Sequence, residues 1–230
     1  MGILSIFKKN KSSDKSNHPF YLYSEEELDE YEVYIEKSLG SYSQVFHEIA
    51  SPDIHLDVIP IPATEDAPFL KLVTMGAGAY KMDIPDELKD YEIEYAEYVI
   101  YLPKDWNINS PDEKDYWPVR ALKDAGRLPV AANTWLGYGH TIQANEEGTP
   151  YADNTGFNTT MLVTAVDLNG QPMSVRLSSG KLINFYQLLP IYPEELQIKQ
   201  EKGADALLDL LAEQEGFPVL NINRKNVAKE

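Results

Sequence analysis

The chain has 230 residues, 43% of them hydrophobic, and no cysteine. That is enough apolar material for one sizeable core, and it excludes disulfides, thiolate metal sites and cysteine nucleophiles. The formal net charge of −17, with a pI near 4.6, repels phosphate backbones and steers basic proteins inward, so nucleic acid is not an expected partner.

Residues 1–20 depart from this balance. Lys8, Lys9, Lys11 and Lys15 stand against Asp14 alone, so the stretch carries +3 and the remainder −20. Ser, Asn and Lys dominate after Phe7, the composition of a disordered basic tail; a small amphipathic anchor over Gly2–Lys9 is the alternative reading. The apolar start Met1–Phe7 precedes its lysines and is too short for a signal peptide. Ile6 stands where a myristoylation pattern needs Ser or Thr, and no run reaches the roughly 18 apolar residues of a membrane span. A cytoplasmic protein without stable membrane association is expected.

A helix is expected from Ser24. Ser24 and Glu27 form a capping box, and Glu25 and Glu26 favour the positive end of the helix dipole. Leu28, Tyr31, Ile35 and Leu39 recur at helical spacing until Gly40. The opposite face is almost all carboxylate: a solvated face, or a docking face for a basic partner. Ser41–Ala50 fits a short helix or a hairpin arm equally well.

Strands are expected at Ile54–Ile61, Phe69–Met75 and Tyr95–Leu102, with prolines at their ends. The third is apolar on nearly both faces, which suits a central strand covered on both sides. Tyr116–Leu128 reads as a helix with Pro118 in its first turn and Pro129 as its stop. Asn133-Thr-Trp-Leu-Gly-Tyr-Gly-His-Thr-Ile142 follows as an irregular aromatic loop. Phe157–Leu168 and Gln171–Leu177 flank Asn169-Gly170, a hairpin signal. Lys181–Ile191 is a further strand, and a helix broken at Gly203 runs from Pro193 to about Gln214. Residues 216–230 read as a frayed tail. With no linker or repeat between 21 and 215, one α+β domain is expected there, a central mixed, largely antiparallel sheet flanked by helices.

Catalytic patterns are missing. No Gly-x-Ser-x-Gly elbow, dinucleotide loop or Walker-type lysine occurs, and position 51 is Ser where a helical zinc motif beginning at His47 would need its second histidine. His47-Glu48 and His55-x-Asp57 flank a turn, and as strand residues His55 and Asp57 would share a face. Without a clear third ligand, structural hydrogen bonding is the favoured reading over a metal, and no cofactor is expected. His140 reads as a packing residue more readily than as a general base.

Several blocks carry a resemblance: His55-Leu-Asp-Val-Ile-Pro-Ile-Pro62, Pro68-Phe69 with Leu72-Val-Thr-Met-Gly76, Ala96-Glu-Tyr-Val-Ile-Tyr-Leu-Pro103, Trp117-Pro-Val-Arg120, Arg127-Leu-Pro129, the aromatic loop, and Asn184-Phe-Tyr-Gln-Leu-Leu-Pro-Ile-Tyr-Pro-Glu-Glu-Leu196 with Gly203-Ala-Asp205. In this order, over residues 28–212, they resemble a bacterial Suppressor-of-fused-like domain in its single-domain form. The resemblance implies a mixed α+β domain similar to the amino-terminal half of the animal protein, which binds a transcription factor's peptide and is not an enzyme. It also implies the role proposed for many bacterial relatives, immunity proteins that neutralise polymorphic toxins. The animal form's second domain has no counterpart here, so the cleft between its domains is not carried over, and neither are any catalytic residues.

The expected function is therefore a non-enzymatic protein-binding module, an immunity protein for a basic toxin domain. The alternatives are a peptide-binding regulator, or a hydrolase or metal-dependent enzyme using His140, or His55 with Asp57. The expected contact residues are Glu25, Glu26, Asp29, Glu32 and Glu36 on the first helix, and Trp135, Tyr138 and His140 in the loop.

Overall fold

A computed structural model describes residues 20–229; the tail expected over residues 1–20 lies, but for Phe20, outside the described residues. Seven strands form one sheet: β1 (Asp57–Ile61), β2 (Phe69–Met75), β3 (Tyr95–Pro103), β4 (Thr141–Gln143), β5 (Thr159–Thr164), β6 (Ser174–Arg176) and β7 (Leu182–Ile191). The order is β1-β2-β3-β7-β5-β4, with β6 also on β7. β3 and β7 run parallel, and the other pairs of these strands are antiparallel. β3 is central, as its two apolar faces lead one to expect.

Alternate residues of the strands feed two layers. Leu72, Tyr98, Ile100, Tyr186 and Leu188 face α2 (Glu113–Ala132), through Trp117, Leu122 and Ala125. Val73, Val99, Tyr101, Ile183 and Phe185 face α1 (Glu25–Leu39), through Tyr31, Ile35 and Leu39. Farther along β5 and β7, Met161, Val163, Leu189 and Ile191 receive Leu207 and Leu211 of α4 (Ala204–Ala212), which follows α3 (Pro193–Lys202). The result is a single α+β domain with helices on both sides of a mixed sheet.

Local chemistry explains the ends. Ser24 caps α1 with the reciprocal Ser24–Glu27 bonds, and Gly40 closes it at φ 109°. Gly203 divides α3 from α4 at φ 93°. Pro60 lies inside β1, tolerated because β1 is an edge strand.

One open reading closes and three expectations change. Of the two readings of Ser41–Ala50 the hairpin arm holds: Phe46 pairs antiparallel with Val58 as a short arm along β1. α2 starts at Glu113, capped by Asp112, so Pro118 and Pro129 lie inside it. Pro118 cannot bond the Lys114 carbonyl one turn back, and Asn154 Nδ2 donates to it instead at 3.0 Å. The Asn169-Gly170 turn forms, with Gly170 at φ 74°. Its second arm, however, leaves β5 after the isolated Val166–Pro172 bridge and pairs with β7.

The third concerns residues 216–229, which pack on the body. Leu220 is buried and its amide donates to Tyr101 O at 2.8 Å. The fixing point is Arg224, whose guanidinium sits on Glu195.

Candidate functional site

The first candidate surface is the outer face of α1. Glu25, Glu26, Asp29 and Glu36 are exposed on it, and Val33, 68% exposed, lies among them. Glu32 is half-buried; burial pushes its carboxyl up, and Asp29 and Glu36 push it further against the pull of its bond with Tyr42. Like charges at helical spacing repel, so this face carries an electrostatic cost that a cationic surface would relieve.

The aromatic loop lies at the other edge of the sheet, where it leads from α2 into β4. It starts at Asn133, which ends α2 in the left-handed conformation at φ 47°. Trp135 packs its ring 4.2 Å from His140 and against the α2-side core. Leu136 is buried, and a Cβ on Gly137 would approach Trp135 Cζ3 to 3.0 Å. Gly139 N donates to Leu162 O at 2.8 Å and Leu162 N to His140 O at 2.9 Å. Burial pushes the His140 imidazole down, as does Lys199, against the bond to the Trp135 backbone. Tyr138 is 43% exposed and its hydroxyl donates to Asp205 of α4. The loop is thus tied down along its length, and Tyr138 is its exposed ring. The two groups of expected contact residues do not adjoin, because α1 covers the β1–β3 half of the sheet and the loop flanks β4.

The third constellation is one the sequence reading left incomplete. Phe46 and Val58 exchange backbone bonds of 2.8 and 3.2 Å, which sets His47 opposite Asp57 across the arm. His47 Nδ1 lies 2.8 Å from Asp57 Oδ2, and His55 Nε2 lies 3.1 Å from Asp57 Oδ1. Glu48 N also donates to Asp57 Oδ1, at 2.9 Å. Asp57 is fully buried; burial pushes its carboxyl up, but the bonds from His55, the Glu48 amide and His47 outweigh this and hold it low. The bond to Asp57 holds His55 above its ordinary range. Behind them Ser51 Oγ touches both Glu48 Oε2 at 2.6 Å and His55 Nδ1 at 3.1 Å, and Arg127 of α2 binds Glu48 and Asp53. His47 is thus the third member of the cluster, named beside His55 and Asp57 in the sequence but not placed against them there. The signal was there: the hairpin-arm reading of Ser41–Ala50 places it opposite Asp57, and the helical reading does not.

Gly76 completes this corner. A Cβ there would stand 1.9 Å from the His55 carbonyl oxygen, so the glycine lets the end of β2 press against the His55 backbone. The same glycine's amide, with that of Gly78, donates to the buried Glu97 of β3, each at 2.9 Å.

The model of the family described as Suppressor of fused protein (SUFU) matches residues 52–225. The chain belongs to the SUFU family. Solved structures share the fold at low identity. A SUFU homolog from Neisseria gonorrhoeae FA 1090 is 15% identical with a TM-score of 0.57, over 85% of this chain and 93% of that one. A chain from the Sufu–Fu complex is 13% identical with a TM-score of 0.54, over 76% and 78%. Drosophila Suppressor of Fused is 14% identical with a TM-score of 0.53, over 76% of this chain and 43% of that one, so this SUFU chain spans less than half of the fly protein's length. No curated protein matches the sequence. Among the described residues, no helix is long and apolar enough to cross a membrane.

Proposed function

We propose that this SUFU-family chain is a non-enzymatic protein-binding module of the cytoplasm that neutralises a basic toxin by direct contact. The observation that carries the reading is the outer face of α1, where the exposed Val33 shares the helix surface with exposed Glu25, Glu26, Asp29 and Glu36, and with Lys37 one turn on. An apolar residue among charged ones suits an interface, and the like charges of Asp29 and Glu36 beside Glu32 favour a cationic partner. The charge of −20 on the body would speed encounter with such a partner. That a relative was crystallised as a Sufu–Fu complex supports a protein as the ligand.

Native capture on the tagged full chain tests this. One stoichiometric basic protein should be recovered, and a chain carrying Glu25→Lys, Glu26→Lys, Asp29→Lys and Glu36→Lys should lose it while keeping its circular dichroism. Recovery of the same protein by both chains would remove α1 as the contact.

The second reading is a peptide-binding regulator working through the aromatic loop, favoured by the exposed Tyr138 beside Asp205. It predicts that Trp135→Ala abolishes capture with the fold intact. The α1 reading predicts that this substitution costs stability and leaves capture in place.

A further inference from the structure

His55 and Asp57 are held in a way that requires a positive species between them. Glu48 is ion-paired with Arg127, and its carboxylate oxygens only accept. Ser51 Oγ, 2.6 Å from Glu48 Oε2, therefore directs its one proton there. Toward His55 Nδ1, 3.1 Å away, the same oxygen can only accept, so Nδ1 carries a hydrogen. In a neutral imidazole the other nitrogen is then a bare lone pair, and Nε2 of His55 faces Asp57 Oδ1 at 3.1 Å. Asp57 is fully buried and cannot turn to water. A second ring proton fills the gap; a metal ion fills it as well.

His47 makes the metal the stronger occupant. Its Nδ1 lies 2.8 Å from the other carboxylate oxygen, and the ligand atoms of the three residues all lie within 4.8 Å of one another. A tetrahedral zinc ion with bonds of about 2.0–2.1 Å spaces its ligands roughly 3.3 Å apart, so small side-chain rotations suffice. The outer contacts match those of a metal site. A ligating histidine donates its second ring nitrogen to an oxygen, which fixes its tautomer; His55 Nδ1 does so to Ser51, and the Glu48 amide pins Asp57 Oδ1. His47 is 37% and His55 22% exposed on the side chain, so solvent reaches both rings.

We propose that His47 Nδ1, His55 Nε2 and an Asp57 carboxylate oxygen bind one zinc ion, with the fourth position open to solvent. Two imidazoles and one carboxylate suit zinc and its first-row neighbours and do not suit calcium or magnesium. The site stands apart from α1 and does not depend on the partner-binding reading.

The test uses the tag-free full chain, stripped with chelator and titrated with Co²⁺ under visible absorption and with Zn²⁺ by calorimetry. One equivalent of Co²⁺ should bind with ligand-field bands and be displaced by Zn²⁺. His47→Ala and His47→Gln should each weaken Zn²⁺ binding by about 10-fold or more, Ser51→Ala by about 10-fold, and His140→Ala should leave it unchanged. The Gln variant keeps the side-chain volume if the Ala variant fails to fold. Absence of saturable one-to-one binding by the wild type, or equal affinity in the wild type and His47→Gln, overturns the proposal and leaves a proton as the bridging species.

Discussion

Arg224 donates through Nη1 and Nη2 to the two oxygens of Glu195, each at 2.6 Å, and Glu195 has no exposed surface. The guanidinium lies 4.7 Å from the Phe157 ring centre and 5.0 Å from that of Tyr192, and Nη2 also donates to Pro190 O at 3.1 Å. A planar, bidentate cation set against two rings is a task for arginine that lysine does not perform.

Removing the cation leaves a buried carboxylate, so Arg224→Ala should destabilise the fold by about 3–5 kcal/mol, and Arg224→Lys should recover only part of it. The double variant Arg224→Met with Glu195→Leu should be milder than Arg224→Ala, since no charge is left uncompensated. Urea unfolding of the three chains checks the order. Truncation after Gln214 should behave like Arg224→Ala or worse.

Glu97 is the buried acid of the central strand. It accepts from Tyr23 Oη at 2.8 Å, Thr74 Oγ1 at 2.5 Å and the two amides of the glycine loop. Glu97→Ala strands these donors and should cost about 3 kcal/mol or more. Glu97→Gln should cost less, because Thr74 Oγ1 can turn its proton toward Tyr98 O, 3.4 Å away, and accept from the new amide. Chemical denaturation of both variants measures the difference.

Two glycines with positive φ separate space from conformation. Gly76→Ala places a Cβ 1.9 Å from a backbone oxygen and should exceed about 2 kcal/mol, with most of the chain unfolded at moderate temperature. Gly170, at φ 74°, has nothing within 4 Å of an added Cβ, so Gly170→Ala should show the backbone term alone, about 1–2 kcal/mol. Thermal unfolding of the pair should show a clear gap.

The α1 cap has a pH signature. Burial pushes the Glu27 carboxyl up, but Lys181, Ser179 and the Ser24 amide outweigh this and hold it below its ordinary 4.5. A depressed carboxylate contributes stability that is present above the unfolded pKa and is lost as pH falls through the folded one. Stability measured by urea should therefore drop below about pH 4.5 in the wild type, and Glu27→Gln should be less stable at pH 7 and flatter across that window.

Much of this fold can be read from residue pattern alone. The capping box and the four-residue apolar spacing locate α1, and the two-faced apolar run locates β3 at the centre. What escaped the pattern is non-local. Pro118 is accommodated inside α2 where Asn154, 36 positions away in the chain, donates to the Lys114 carbonyl that the proline leaves unbonded. The last residues are held by Arg224, whose counter-charge on α3 is legible only as one glutamate of many. His47 was open between two local structures, and the Phe46–Val58 pairing that decides it is a tertiary contact. The site is less legible than the fold for the same reason. In a chain this acidic, composition does not separate the carboxylates left exposed, such as Glu25 and Asp29, from those consumed in structure, such as Glu27 and Glu97.

Titration of the captured partner against the α1 face separates contact through these carboxylates from contact elsewhere. Wild-type chain and the chain with Glu25, Glu26, Asp29 and Glu36 each changed to Lys are compared by calorimetry at low and high salt. Affinity of the wild type should fall steeply with salt, and the charge-reversed chain should bind at least about 100-fold more weakly at low salt. Equal affinity of the two chains, with no salt dependence, would contradict the account.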